Sequence, residues 1–244
     1  VFPELVQKRE RLKRRFARSL PHYARAARVQ EEMARCLLEA LRGFSCERIL
    51  EIGVGAGLFT RKFRPLHPEA FYLALDLVSA CAEYLRPLKV HFLVADAEDL
   101  DWLRASFDLI VSNATFQWFS RPEKALETYR RLLPPGGILA FTTFGPQTMR
   151  ELSFHETPLR SFAYWQGLRN GFRPLVERCW TRRLFFSEPL EALRHVKETG
   201  ALGSLPACWS LKGLRTVFEQ IRSFREPRGF PLTYEPMLFV WEKE

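Results

Sequence analysis

Three glycines alternate with other residues in the stretch RILEIGVGAGLFTRKF, at Gly53, Gly55 and Gly57, directly after an apolar run that holds Glu51. A glycine-rich turn from strand to helix lets a ligand approach the backbone and aims helix N–H groups at it, which suits a nucleotide-like group. The dinucleotide fingerprint G-x-G-x-x-G requires glycine at position 58, where this chain has Leu58. The spacing is E-x-G-x-G-x-G instead. Asp76 follows 19 residues after Gly57, at the end of the apolar run FYLALDL, where an acid can accept both hydroxyls of a ribose. Asp96 ends a third such run, and Ser112 and Asn113 end a fourth. A lone acid there could serve as a helix cap. Three polar ends in register point to a bound ligand. No phosphate-binding lysine or Ser-His-Asp arrangement accompanies them, and the five histidines show no metal-ligand spacing, so no metal site is expected.

These residues need a frame. Short apolar runs at Arg48–Ile52, Phe71–Leu75, Val90–Ala95, Phe107–Ser112 and Ile138–Thr143 read as buried strands, and Leu58–Arg64, Ser79–Leu85 and Pro122–Leu132 as the helices between them. Continuous apolar strands alternating with helices imply a parallel sheet covered on both faces. Ahead of them, a helix from about Leu5 to Ser19 is predicted to stop before Pro21. A second, Ala26–Leu41, carries the stripe Val29, Met33, Cys36, Leu37 and Ala40. Beyond Gly145, helical pieces are expected at Thr148–Phe154, Leu159–Gly171, Pro189–Glu198 and Leu211–Arg222. Two further strands, Cys179–Phe186 and Leu232–Trp241, are expected as an antiparallel edge pair. The predicted fold is therefore α/β: a Rossmann-like, doubly wound, mostly parallel sheet of seven strands with helices on both faces. A single domain over residues 1–244 is expected, with N-terminal helices (1–46), a ligand-binding core (47–145) and a helical substrate cap (188–229).

Composition narrows the class. Apolar residues form 47% of the 244, with 21 phenylalanines, which excludes a disordered chain. No apolar stretch reaches the ~18 residues of a membrane span, and the start lacks the apolar core of a signal peptide, so a cytoplasmic protein with no membrane partner is expected. Five scattered cysteines without a C-x-x-C pair read as reduced thiols. The net charge of +9 favours an acidic partner, and the segment QKRERLKRRFAR holds seven bases against one acid. Such a run can equally be a solvated helix face.

The E-x-G-x-G-x-G turn resembles motif I of the class I S-adenosylmethionine-dependent methyltransferases. That resemblance implies S-adenosylmethionine as cofactor and S-adenosylhomocysteine as its product. Glu51, Gly53, Gly55 and Gly57 then form the turn, and Asp76 with Leu77 takes the ribose. Asp96 with Ala97 takes the adenine, and Asn113 lies beside the methionine portion. Further stretches are similar to one family, the malonyl-acyl-carrier-protein O-methyltransferases of biotin synthesis. They are RRFARSLPHYARAARVQEEMA near the start, SNATFQWF after the fourth strand, FTTFGPQTMREL after the fifth, and EALRHVKETGA and RGFPLTYEPMLFV near the end. Gln147 stands where many members have glycine, and Val54-Gly55-Ala56 departs from the commoner motif I; neither change removes a group that the chemistry needs.

The resemblance implies methyl transfer to the free carboxylate of a malonyl thioester on acyl-carrier protein, an acidic partner, or on coenzyme A. The chemistry is consistent with it. A carboxylic acid of pKa ~4 is ionised at neutral pH, so no general base is required, only orientation and desolvation. Candidates for that work are Tyr23, Gln117 and Lys197 as catalytic groups, with Trp118 and Arg150 against the substrate. Each has a plainer reading: Tyr23 as a core tyrosine, Trp118 as a packing wall, Lys197 and Arg150 as solvated surface. Lys8, Arg9, Arg14 and Arg15, and Arg178, Arg182 and Arg183, are candidates for the carrier-protein surface. A methyltransferase for a free diacid, an RNA methyltransferase and a noncatalytic scaffold remain alternatives. The basic run is short, however, and no RNA-binding module is evident.

Overall fold

The computed structural model describes residues 3–152, 159–200 and 211–244. The chain opens with two helices, α1 (Pro3–Ala26) and α2 (Arg28–Ala40), separated at Ala27, whose ψ of 47° leaves the helical region. Contrary to the sequence expectation, α1 continues through Pro21. A proline inside a helix removes one backbone hydrogen bond and crowds the preceding turn. Here Leu20, Tyr23 and Ala26 are all buried around it, and that burial holds the last turn in place. Helix α2 buries Val29, Met33 and Leu37 of the predicted stripe, with Gln30 and Ala34.

Five parallel strands follow: β1 (Arg48–Ile52), β2 (Phe71–Asp76), β3 (His91–Val94), β4 (Leu109–Ser112) and β5 (Ile138–Phe144), side by side in the order β3-β2-β1-β4-β5. The order reverses next to β1, which creates the crevice where open α/β sheets bind ligands. Helices α3 (Thr60–Phe63), α4 (Cys81–Leu85) and α5 (Pro122–Leu132) lie where the sequence predicts them, α3 and α4 each trimmed and followed by a 3-10 turn. Aromatic side chains fill one side of the sheet, among them Phe116, Tyr129, Phe141, Trp165 and Trp241. Ile49, Tyr72, Leu109 and Leu238 pack the other side.

After β5 the structure corrects the expectation. The helical piece at Leu159–Gly171 is confined to α6 (Phe162–Gly167). That at Thr148–Phe154 holds a 3-10 turn, Arg150–Leu152, and its end lies outside the described residues. Each of the last two predicted strands is really part of two: β6 (Phe172–Cys179) and β7 (Arg182–Phe186), then β8 (Phe230–Tyr234) and β9 (Pro236–Lys243). Strand β9 runs antiparallel between β5 and β6 and completes a seven-stranded sheet, while β7 and β8 leave it as a separate antiparallel pair. The expected pair is antiparallel, but β9 is interior rather than an edge.

The connection from β7 to β8 carries α7 (Pro189–Glu198) and α8 (Leu211–Ser223). Helix α7 packs on α1, and a shared apolar cluster joins Val196 and Val217 to Val29, Met33, Leu232 and Tyr234. Among the described residues no helix is long and apolar enough to cross a membrane.

Candidate functional site

The glycine turn closes sharply. Gly53, Gly55 and Gly57 all adopt left-handed φ values of 65°, 53° and 74°. At Gly53 the space is also taken, since a Cβ there would lie 2.1 Å from Thr115 Oγ1. A side chain would be strained by both conformation and contact. Gly57 donates its N–H to Val54 O (2.9 Å), and its place is in the turn rather than on the cavity wall.

A cavity opens over this turn and follows the carboxyl ends of the strands. Its walls include Gly53–Gly55, Asp76–Val78 after β2, Ala95–Glu98 after β3 and Asn113–Ala114 after β4; Arg9, Leu12, Phe16 and Tyr23 of α1 contribute from the helical side. Leu77 and Ala97 thus line it with the acids that they follow. Asp76 accepts hydrogen bonds from Gly55 N and Val78 N, both at 2.9 Å. Burial raises its pKa, and these two N–H groups oppose the shift. Asp96 is held by the chain's own cation: Arg9 Nη1 lies 2.5 Å from its Oδ2, and Arg9 Nη2 lies 3.1 Å from Glu98 Oε2. Asn113 ties three elements together, donating to Gln30 O (3.1 Å) and accepting from Thr142 Oγ1 (2.8 Å).

Glu51 also borders the cavity, but its carboxylate is engaged within the protein. Its Oε2 accepts from Tyr72 Oη (2.5 Å) and Thr60 Oγ1 (2.8 Å). Burial pushes its pKa up to about 7, against the pull of those two hydroxyls. Its contacts make it a residue that ties β1 to β2 and α3 beneath the turn.

The cavity continues into a second lobe walled by Gln117, Trp118, Phe144, Thr148, Met149, Leu159, Thr199 and Tyr234. Gln117 is buried with both ends of its amide committed, donating to Ala114 O (2.5 Å) and accepting from Thr143 Oγ1 (3.4 Å). Trp118 is half-buried on the wall. Tyr234 lies within hydrogen-bond reach of His195, Oη to Nε2, at 3.0 Å. Burial, aided by the charge of Arg28, pushes the His195 pKa down to about 4, so the ring is neutral near pH 7.

Two sequence candidates stand apart from this cavity. Lys197 is exposed on α7, and Arg150 is exposed beside Glu151, with 3.7 Å between Nε and Oε1. Their stretches were recognisable, but the helix phase turns both side chains outward. Tyr23 lines the cavity from α1. It clusters with Ala56, Val78 and Cys81, and its pKa is raised by burial first and by the nearby Asp76 carboxylate second. Its hydroxyl has no partner among the described residues, which leaves it available to a ligand.

Sequence reasoning gave Arg9 to the carrier-protein surface, whereas it lines this cavity, and gave Gln30 and Tyr234 no role. Tyr234 stood in the PLTYEP segment without a role, and His195 reads as an ordinary core histidine until its partner is known. Nothing in the sequence pairs Arg9 with Asp96, 87 positions away.

Chemically, the first lobe offers a backbone cradle, acids at two strand ends and apolar walls between them, a donor set that fits an adenosine-type ligand. Among the described residues, the second lobe is apolar with a few hydroxyl and amide groups and no strong base. Comparison with known proteins agrees. A family described as "Methyltransferase domain" matches residues 50–141. The malonyl-[acyl-carrier protein] O-methyltransferase of Chlorobium phaeovibrioides is 36% identical over 242 residues, covering 93% of each chain. The Brevibacillus brevis protein of the same name is 33% identical and covers 94% of each. Among solved structures, a Bacillus halodurans protein described as a methyltransferase superposes with a TM-score of 0.67 at 14% identity, over 86% of this chain and 98% of the other. Coclaurine N-methyltransferase bound to N-methylheliamine and S-adenosylhomocysteine gives a TM-score of 0.58 at 13% identity, over 88% and 70%. Those two likenesses show a shared fold.

Proposed function

Because the chain belongs to the malonyl-[acyl-carrier protein] O-methyltransferases, a family of S-adenosylmethionine-dependent enzymes, we propose that it methylates the free carboxylate of a malonyl thioester carried on acyl-carrier protein. The methyl ester formed would prime pimeloyl synthesis for biotin, as the family resemblance implies. One observation carries the reading at the site: the lobe over the glycine turn runs directly into an apolar second lobe whose described walls hold no general base. Unpaired Cys36, Cys46, Cys81 and Cys179 fit a reducing cytoplasm.

S-adenosylmethionine, when bound, supplies a methyl group already activated on a sulfonium. The residues that would hold it are Gly53 and Gly55 in the turn, Asp76 and Leu77 at the ribose, Asp96 and Ala97 at the adenine, and Asn113 near the methionine portion. Tyr23 belongs with this group rather than with the acceptor. On the acceptor side, Trp118, Met149 and Leu159 exclude water from a nucleophile that is ionised without help. Tyr234 is the hydroxyl best placed to orient the carboxylate. With His195 neutral and donating from Nε2, the Tyr234 proton is free to be donated into the lobe. Gln117 fixes the loop after β4 through Ala114 and Thr143. The α7–α8 segment serves as the substrate cap, and the domain remains one unit.

Acyl selectivity tests the reading. A malonyl thioester should be methylated and an acetyl thioester, which lacks the nucleophile, should not. A succinyl thioester should react roughly 10–200-fold more slowly, since one methylene misplaces the carboxylate for in-line transfer. Equal rates for malonyl and succinyl, read by mass spectrometry, would mean that no fixed lobe holds the carboxylate. Methylation of a free diacid or of RNA instead would replace the proposed acceptor.

A further inference from the structure

The charge excess is not spread evenly over the surface. On α1, Arg11, Arg14, Arg18 and Arg25 recur at intervals of three, four and seven residues, which places them on one helical stripe. All four are exposed, and His22 lies on the same stripe. Arg11, Arg14 and Arg18 have no acidic partner among the described residues. Arg25 has a loose one, Glu198 of α7 at 3.8 Å, and that contact brings the stripe alongside Arg194 and Lys197, both exposed on α7. The neighbouring acid Glu10 is engaged by Lys13 at 3.7 Å.

The basic residues expected from the sequence on and near β7 are already neutralised or committed. Arg182 pairs with Glu32 at 3.1 Å, Arg183 pairs with Glu226, and Arg178 lies over the Trp180 ring. Arg9 points the opposite way on α1, to Asp96 and Glu98. The arginines expected from the sequence on and near β7 therefore offer an incoming anion less than the α1 stripe does.

Position completes the argument. The inner face of α1 lines the cavity through Leu12, Phe16 and Tyr23, so the stripe rides on the back of the helix that walls the cofactor lobe. Gly200, at the end of α7, sits against Phe16 and Ser19 of α1, beside Thr199 on the wall of the second lobe. An acidic protein seated on the stripe is separated from the cavity by about one helix diameter, ~10–12 Å. A carrier protein presents its acyl group on a long flexible arm, which can cross that thickness.

We propose that the Arg11–Arg14–Arg18–Arg25 stripe of α1, extended by Arg194 and Lys197 of α7, is the docking surface for the acidic face of the acyl-carrier protein. The proposal rests on the methyltransferase reading above and adds the surface that delivers the substrate. Complementary charge of this kind steers encounter and loses force as salt screens it over ~8–10 Å.

The test compares a malonyl group on carrier protein with malonyl pantetheine, which has the thioester but no carrier. Replacing Arg11, Arg14 and Arg18 together by Glu should raise KM for the carrier-bound substrate at least tenfold and leave malonyl pantetheine within twofold of wild type. The corresponding triple Gln variant should shift KM in the same direction by less. Added salt should raise the wild-type KM for the carrier-bound substrate and narrow its difference from both variants. Replacing Arg182 and Arg183 by Glu should have the smaller effect. Unchanged KM in the α1 variants would overturn the assignment. So would equal losses with both substrates, or a larger effect at Arg182 and Arg183. If wild type methylates neither thioester, the functional reading itself fails, an outcome distinct from these.

Discussion

Asp76 is assigned to the cofactor, yet it also caps the backbone that forms the cofactor's seat. Its oxygens accept from Gly55 and Val78. Asp76→Ala should weaken S-adenosylmethionine binding by about 1.5–3 kcal/mol and also lower the thermal midpoint, because two buried N–H groups lose their acceptor. Asp76→Asn keeps one acceptor and should recover part of the stability with little of the affinity. Titration calorimetry showing wild-type affinity in either variant would remove Asp76 from the ribose. Tyr23 makes a sharper case, because its sequence context suggested acceptor orientation and its surroundings suggest otherwise. Tyr23→Phe should weaken cofactor binding severalfold and leave the KM for the malonyl substrate nearly unchanged. The reverse pattern would return Tyr23 to the acceptor. At this scale the sequence revealed which residues stand at strand ends, but not the direction of their hydroxyls. That direction depends on contacts such as Tyr23 with Val78 and Cys81, which come from elements far apart along the chain.

At the scale of elements, the β1–α3 turn is the part most constrained by geometry. Gly53→Ala should cost about 1–2 kcal/mol for the left-handed conformation alone, plus the displacement of Thr115. A Gly53→Ala, Thr115→Ser double variant should stay well below wild type in stability, because the φ of 65° is unchanged and the Ser hydroxyl still crowds the Cβ. Full recovery in a thermal melt would mean that the close contact, rather than the conformation, excludes a side chain there. Strands β1, β2, β4 and β5 were readable because they are buried on both faces and appear as unbroken apolar runs. Strand β6, FRPLVERC, was not: exposed arginines, a glutamate and Pro174 interrupt it, and its register shifts between Pro174 and Val176. The break at Glu235 was invisible for the opposite reason, since Tyr234 and Pro236-Met237 continue the apolar run on either side. Helix α1 shows burial outweighing a local rule at Pro21.

For the whole molecule, two buried groups pull stability in opposite directions with pH. Glu51 binds its proton more tightly in the fold than in the unfolded chain, so its contribution is present below pH ~4.5 and lost as pH rises toward 7. His195 binds its proton less tightly in the fold, so its contribution is present above pH ~6.5 and lost as pH falls toward 4. Between those limits the two slopes oppose each other. Glu51→Gln keeps an acceptor for Tyr72 and Thr60 and removes one slope. The variant should match wild type near pH 4.5 and exceed it at pH 7–8, by up to roughly 3 kcal/mol at ~1.4 kcal/mol per pH unit. Thermal melts from pH 4.5 to 8 would check this, and parallel curves for the two proteins would mean that Glu51 titrates normally. The sheet order has a further consequence, for a chain still being made. Strands β1 to β5, with the glycine turn and its acids, leave the ribosome early and can pair among themselves. Strand β6 then has no neighbour to join, because the strand between it and β5 is β9, the last of the described chain. Until β9 arrives, β5 presents an unpaired edge whose seven residues, Ile138–Phe144, are all destined for burial. Nascent chains stalled before Pro236, or clipped there, should therefore stick to one another through that edge, even though their cofactor-side residues are complete.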